Sequence, residues 1–220
     1  MLPRAIADYW SLTTAQAAIE VFATVAFALS GLIEAARKKL DPVGVCMVAG
    51  LAAFGGGTLR DILLDRRPFF WVEHAWYLWI LLAVCVAAML FMHSRHLEPT
   101  ERATQWPDAL GLGLFSASGT QIALAAHMPP IVAVLMGVVT AIFGGVLRDV
   151  VCNEIPRAFR DHQPYAVCAF AGAWVLVVVQ LFAGPGLALL AGAITTSVLR
   201  LLVLFTGWRL PAWRTDRGPH

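Results

Sequence analysis

The chain has 220 residues, of which 59% are hydrophobic and 14% charged, and its mean hydropathy is +0.72. Soluble domains carry about 25% charged residues, so this composition excludes a soluble protein and points to a membrane one. The net charge of +2 calls for no nucleic-acid partner, since basic loops resting on anionic lipid headgroups account for it.

A helix needs ~20 mostly apolar residues to cross a bilayer, and seven such runs follow one another along the chain. The first, residues 17–36, carries Glu20, Ser30 and Gly31, and ends near Glu34, which has Arg37 and Lys38 at helical spacing to pair with. The second, 43–64, holds three consecutive glycines, Gly55, Gly56 and Gly57, followed by Thr58 and then by Arg60 and Asp61. The third is 75–92. The fourth, 109–126, carries Ser118 and Gly119, with Asp108 at its edge. The fifth, 130–152, holds Phe143, Gly144, Gly145 and Val146 and then Arg148 and Asp149. The sixth is 165–182, and after Ala-Gly-Pro-Gly at 183–186 the seventh runs over 186–208, leaving 209–220 as a tail. Lipid offers no partner to backbone N–H and C=O groups, and these runs lack the alternation of barrel strands, so the expected fold is all-α.

Alternating these spans across a membrane assigns the sixteen Lys and Arg residues to two sides. Arg4, Arg60, Arg66 and Arg67 fall on one side and the other twelve on the opposite one. By the positive-inside rule the C-terminus is then cytoplasmic and the N-terminus outside, as in a multi-pass protein of the inner (plasma) membrane.

The second span has an echo. GGTLRDILLDRRP at 56–68 returns as GGVLRDVVCNEIP at 144–156, an offset of 88 residues. The same offset pairs Ser30-Gly31 with Ser118-Gly119, Phe27 with Phe115, Pro42 with Pro130 and Glu20 with Asp108. Twelve of the forty-nine positions from 20 to 68 are identical in the second copy. Each unit, 17–93 and 105–182, holds three spans. Three is odd, so the second unit enters the membrane from the opposite side, and inverted repeats of this kind build transport paths with broken helices at their centre. The seventh helix has no repeat partner.

Glycine costs ~1 kcal/mol in a helix interior. Clustered glycines either admit a close neighbour or loosen the backbone beside a wet path. The Arg-Asp pairs have two readings as well. Arginines near an interface snorkel to headgroups, whereas aspartate is too short for that, so Arg-Asp in both copies favours a vestibule or a partner on another helix. Ser30 and Ser118 are candidates for cross-helix hydrogen bonds or for lining a path. Glu20, Asp108 and Glu34 read as interfacial.

The four cysteines have no metal-ligand spacing and read as buried thiols. His74, His93, His96, His127 and His162 fall in loops or at span ends without helical pairing, so no metal and no cofactor is expected. No nucleophile elbow, zinc-protease or Walker motif occurs, which argues against an enzyme or an ATP-driven pump.

With GGGTLRD at 55–61, GGVLRD at 144–149, the inverted repeat and a seventh helix in view, the chain resembles the prokaryotic trimeric intracellular cation channels over nearly its whole length. Related bacterial sequences carry an older label as glycine transporters. The resemblance implies a homotrimer with an hourglass pore in each subunit, lined by helices of both repeats and kinked at Gly55, Gly56, Gly57 and at Gly144, Gly145. It implies K⁺ as the permeant ion, with Na⁺ as a second. Two departures stand out: Phe143 occupies the place of Gly55, and the Lys-Glu-Val segment tied to phosphoinositide binding in animal members is missing. The main alternative is a secondary transporter of a small solute such as glycine, which an inverted repeat suits equally. A coupled carrier tends to place ionisable groups near the bilayer midplane, and no carboxylate lies there outside the Arg-Asp pairs, which favours the channel.

Overall fold

The computed structural model describes residues 4–95, 100–160 and 163–211. Among them there are helices and no strand: α1 (Arg4–Arg37), α2 (Pro42–Leu63), a single-turn α3 (Phe70–Glu73), α4 (Trp76–Arg95), α5 (Glu101–Ala125), α6 (Pro130–Val151), α7 (Tyr165–Phe182) and α8 (Pro185–Thr206). His96, His162, Trp213, Arg214, Arg217 and most of the tail lie outside the described residues.

Local chemistry sets the helix ends. Asp41 caps α2 by accepting from the Gly44 N–H at 2.7 Å, with Pro42 in the first turn, where a missing N–H costs nothing. Thr100 caps α5 through Ala103 N at 3.2 Å, and Gly207, at φ 66°, stops α8 in the left-handed conformation that favours glycine.

Five helices are long and apolar enough to cross a membrane: Thr14–Arg37, Pro42–Leu63, Pro130–Val151, Tyr165–Phe182 and Pro185–Thr206. α4 and α5 stand where two further crossings were expected, but α4 has a shorter apolar stretch, Trp76–Leu90, and α5 starts eight residues before the expected 109. Its buried Thr104, Asp108, Ser116, Ser118, Thr120 and Gln121 explain why hydropathy underrates α5. It is the inner helix, packed against α1, α6, α7 and α8, so its polar side chains face protein rather than lipid. The outer helices carry the exposed apolar residues, such as Trp79, Leu181 and Phe182, as a lipid-facing surface requires.

The two halves match at the 88-residue offset in backbone as well as in sequence. Helices end at Arg37 and Ala125 and at Leu63 and Val151, and begin at Pro42 and Pro130. The non-glycine residues with positive φ are Lys39 and His127, and Asp65 and Asn153, two pairs separated by the same offset. The halves also meet each other through matched residues, Phe27 stacking on Phe115 with ring centroids 5.5 Å apart.

Candidate functional site

α2 and α6 cross at the glycines. A Cβ on Gly56 would overlap the Thr140 carbonyl oxygen, and one on Gly144 would overlap the Ala52 carbonyl oxygen. The partner number falls on one helix as it rises on the other, so the two helices are antiparallel. Thr140 is also the offset equivalent of Ala52, which makes the contacts reciprocal. Neither helix is interrupted: hydrogen-bonded α-helix runs through Gly55–Gly57 and through Gly144–Gly145, and Gly207 is the only described glycine with positive φ. The broken helix expected from the sequence is thus an unbroken helix with a bare face. Removing the side chains lets two backbones touch, as small residues do between membrane helices.

One helical turn beyond each crossing lies a buried charge cluster. In the first, the Arg60 guanidinium donates from Nη1 to Glu20 Oε1 at 2.7 Å and from Nε to Asp61 Oδ1 at 2.9 Å. The second Asp61 oxygen accepts from the Phe70 N–H at 2.9 Å, and Ser118 of α5 donates to Glu20 at 3.1 Å. Arg66 approaches Asp61 at 3.6 Å from a largely exposed position. The Arg60 side chain is fully buried, lying 5.5 Å from the Phe70 ring centroid.

The second cluster repeats the first. Arg148 Nη1 donates to Asp108 Oδ1 at 2.6 Å and its Nε to Asp149 Oδ1 at 2.8 Å. Asp149 Oδ2 accepts from the Arg157 N–H at 2.9 Å, and Ser30 of α1 accepts from Arg148. Tyr165 completes the site by donating to Asp108 Oδ2 at 2.7 Å. Each serine serves the cluster of the opposite half, and the pairs Glu20 with Ser118 and Asp108 with Ser30 exchange under the offset. α1 and α5 are therefore antiparallel too.

Around the second cluster lies a rim of paired charges, where the first has Arg66 beside Asp61. Glu34 accepts from Arg37 at 2.7 Å and from Arg157 at 2.6 Å, while Lys38 donates to Glu154. That hydrogen bond and the Lys38 charge hold the partly exposed Glu154 carboxyl below the usual glutamate range. Glu34, Asp149, Arg157 and their neighbours enclose a cavity of about 40 Å³. At the first cluster aromatic residues stand there instead: Phe54 stacks on Trp71, and Phe70 meets Tyr77 edge-on at 5.4 Å.

The sequence-predicted residues thus separate. Arg60, Asp61, Arg148, Asp149, Ser30 and Ser118 come together in two clusters, with no snorkelling, since both arginines are buried. Glu20 and Asp108, read as interfacial, are their inner partners. α5 begins two turns before Asp108, which puts that carboxylate inside the protein. Gly57 faces the Phe70 ring, and Gly145 lies 3.6 to 3.7 Å, measured from an added Cβ, from Arg148, Tyr165 and Asp108. Gly31 and Gly119 admit the α1–α2 and α5–α6 contacts at Ala49 and Gly137. Thr58 accepts from Trp71 Nε1 at 3.0 Å. Phe143 lines a groove of about 660 Å³ with Gly55, Thr58 and Leu147, a space lined by no charged residue, and Val146 sits on the same turn as the second cluster's glycines. Sequence reasoning passed over Tyr165 and its offset equivalent Tyr77, although the repeat aligns them. It also passed over Arg200 as a site residue, a buried arginine on α8. Among the described residues no group of His, Cys, Asp and Glu gathers as a metal site.

Each cluster sets two acids around one buried arginine, largely out of lipid and water, which only pairing makes tolerable. Known proteins with similar chains bear on their use. The model of the family described as glycine transporter matches residues 17–93 and 105–180. A UPF0126 membrane protein of Vibrio cholerae serotype O1 is 35% identical over 83% of this chain and 76% of its own. The UPF0126 inner membrane protein YadS of Escherichia coli K12 is 31% identical over 91% of this chain and 97% of its own. Among solved structures, a TRIC trimeric intracellular cation channel orthologue from Rhodobacter sphaeroides superimposes with a TM-score of 0.82 at 36% identity, covering 89% of this chain and all of that one. By sequence and by fold, the chain belongs to the TRIC channel family, with a match to the family described as glycine transporter over the same residues.

Proposed function

We propose that the protein is a monovalent-cation channel, permeable to K⁺ and secondarily to Na⁺. It works as a homotrimer with a path in each subunit, along α2 and α6 and between the two charge clusters. In this reading α1, α2 and α4 form one three-helix unit, over 17–93. α5, α6 and α7 form its inverted copy, over 105–182, and α8 is the seventh crossing. The N-terminus lies outside and the C-terminal tail in the cytoplasm, with anionic lipids against the basic loops. The observation that carries the reading is the reciprocity of the two clusters. Two buried Arg–carboxylate sets, related by the same offset and joined by antiparallel helices, are what a path entered from either side would need.

In both clusters the arginine is buried against its inner acids, so conduction requires the guanidinium of Arg60 and that of Arg148 to leave them. Glu20 and Asp61, or Asp108 and Asp149, then present carboxylate oxygens to a passing cation, and the sites hold it weakly because the arginine returns. No cofactor and no chemical step are required.

The second reading, a secondary transporter of glycine, is favoured by the family description alone. Purified protein in planar bilayers, under a K⁺ gradient and then a glycine gradient, separates the two. Unitary K⁺ currents without added solute are expected. Saturable, ion-coupled glycine uptake with no unitary conductance would overturn the channel.

A further inference from the structure

α8 stands outside the duplicated units, yet it sends a charge into one of them. Arg200 is 2% exposed and has no carboxylate partner among the described residues. Its Nη1 donates to Gln163 Oε1 at 2.9 Å, its Nε makes no hydrogen bond, and its guanidinium carbon lies 4.8 Å from the centroid of the Tyr165 ring. A buried cation without a counter-charge is costly inside a membrane protein, and such groups are by default functional.

Among the described residues, the ring under this cation is that of Tyr165, whose hydroxyl donates to Asp108 at 2.7 Å. A cation over the face of a phenol is attracted to the ring and polarises its O–H, which strengthens the bond donated onward. The resulting chain is Arg200, Tyr165, Asp108, Arg148, Asp149. The first cluster supplies an internal comparison. Tyr77 occupies the offset position and is as buried as Tyr165, but Phe70 covers it edge-on and, among the described residues, its hydroxyl forms no hydrogen bond with Glu20. The two clusters are alike in their inner residues, and beyond the rim of Glu34 and Arg157 the second has a further buried positive charge, Arg200, stacked on its tyrosine.

We propose that Arg200 is a positioning residue for the permeation site: stacked over Tyr165, it holds that hydroxyl on Asp108 and so fixes Arg148 in the closed arrangement at one end only. The proposal rests on the channel reading for its consequence and on the hydrogen-bonded chain for its mechanism, and the two are tested apart.

Arg200→Met is the first variant, because removing a cation that has no carboxylate partner among the described residues orphans none of their charges and is tolerated in folding. Arg200→Gln is its polar counterpart, and detergent size-exclusion profiles select the variants that assemble. The first measurement needs no transport: Asp108 labelling by dicyclohexylcarbodiimide, read by mass spectrometry. Labelling should rise by about five- to tenfold in Arg200→Met and in Tyr165→Phe, the worth of one hydrogen bond. The double variant should rise no further, since both changes act on one chain. Arg200→Lys, which keeps a cation over the ring, should stay within about twofold of the parent. In bilayers the same variants should raise the open probability together and in the same order. Unchanged labelling in Arg200→Met and Arg200→Gln, or effects of Arg200→Met and Tyr165→Phe that multiply, would overturn the proposal. Parent protein without unitary currents would overturn the channel reading instead, while the labelling result still decides the role of Arg200.

Discussion

Arg148 shows how strongly one residue can be held by its neighbours. It donates to Asp108 and Asp149 at 2.6 and 2.8 Å, and all three side chains are almost wholly buried. Replacing Arg148 by Met therefore does more than delete two hydrogen bonds. It leaves two carboxylates buried without a counter-charge, a loss of ~3–5 kcal/mol for a broken buried pair. The Arg148→Met, Asp108→Asn, Asp149→Asn triple variant removes the orphaned charges and should regain most of that loss. The measurement is the temperature at which the detergent-solubilised protein loses its monodisperse elution peak. A single variant as stable as the parent would mean that the cluster is wetter than its burial indicates. The Arg-Asp motif itself was legible, because two charges in an apolar run demand an explanation. Glu20 and Asp108 were not, although their pairing by the offset was visible. Their place near the end of an apolar run read as a place at the surface, and a run's end marks where hydropathy falls, not where protein burial ends.

At the scale of elements, the same reasoning separates three glycines that look alike in sequence. Gly56 and Gly144 sit where a methyl group would collide with the backbone carbonyl of the facing helix, a neighbour that cannot rotate away. Overpacking of that kind costs ~1–3 kcal/mol, so Gly56→Ala and Gly144→Ala should each lower the thermal stability of the assembled protein clearly. Gly145 has its nearest neighbours at ordinary contact distance, and Gly145→Ala should be close to neutral by the same elution assay. If all three variants melted alike, the glycines would be serving flexibility rather than contact. Sequence reasoning weighed close packing against a break, and nothing in the string GGG tells the two apart. The distinction depends on which backbone lies opposite, and that is fixed by the crossing of α2 with α6, 88 residues away. The span of α5 was misjudged for a related reason, since a helix surrounded by other helices does not have to be apolar.

On the scale of the whole molecule, the odd number of spans in each unit was the strongest inference available from sequence, because it turns a repeat into an inversion without any knowledge of contacts. Antiparallel packing of α2 with α6 and of α1 with α5 is what an inversion requires, and the matched left-handed residues at Asp65 and Asn153 mark the duplication itself. Inversion has a consequence that packing alone does not: those two exposed residues, equivalent in sequence and in backbone, should face opposite sides of the membrane. In a background with Cys46, Cys85, Cys152 and Cys168 replaced, single variants Asp65→Cys and Asn153→Cys test this with a membrane-impermeant maleimide. In intact cells Asp65→Cys should label and Asn153→Cys should not. In inside-out vesicles the order should reverse, since the twelve-to-four bias of basic residues predicts a cytoplasmic Asn153 loop. Reversed labelling in both preparations would keep the inversion and refute the orientation. Labelling of both positions from one side would refute the inversion itself, and with it the reading of the two charge clusters as opposite ends of one path.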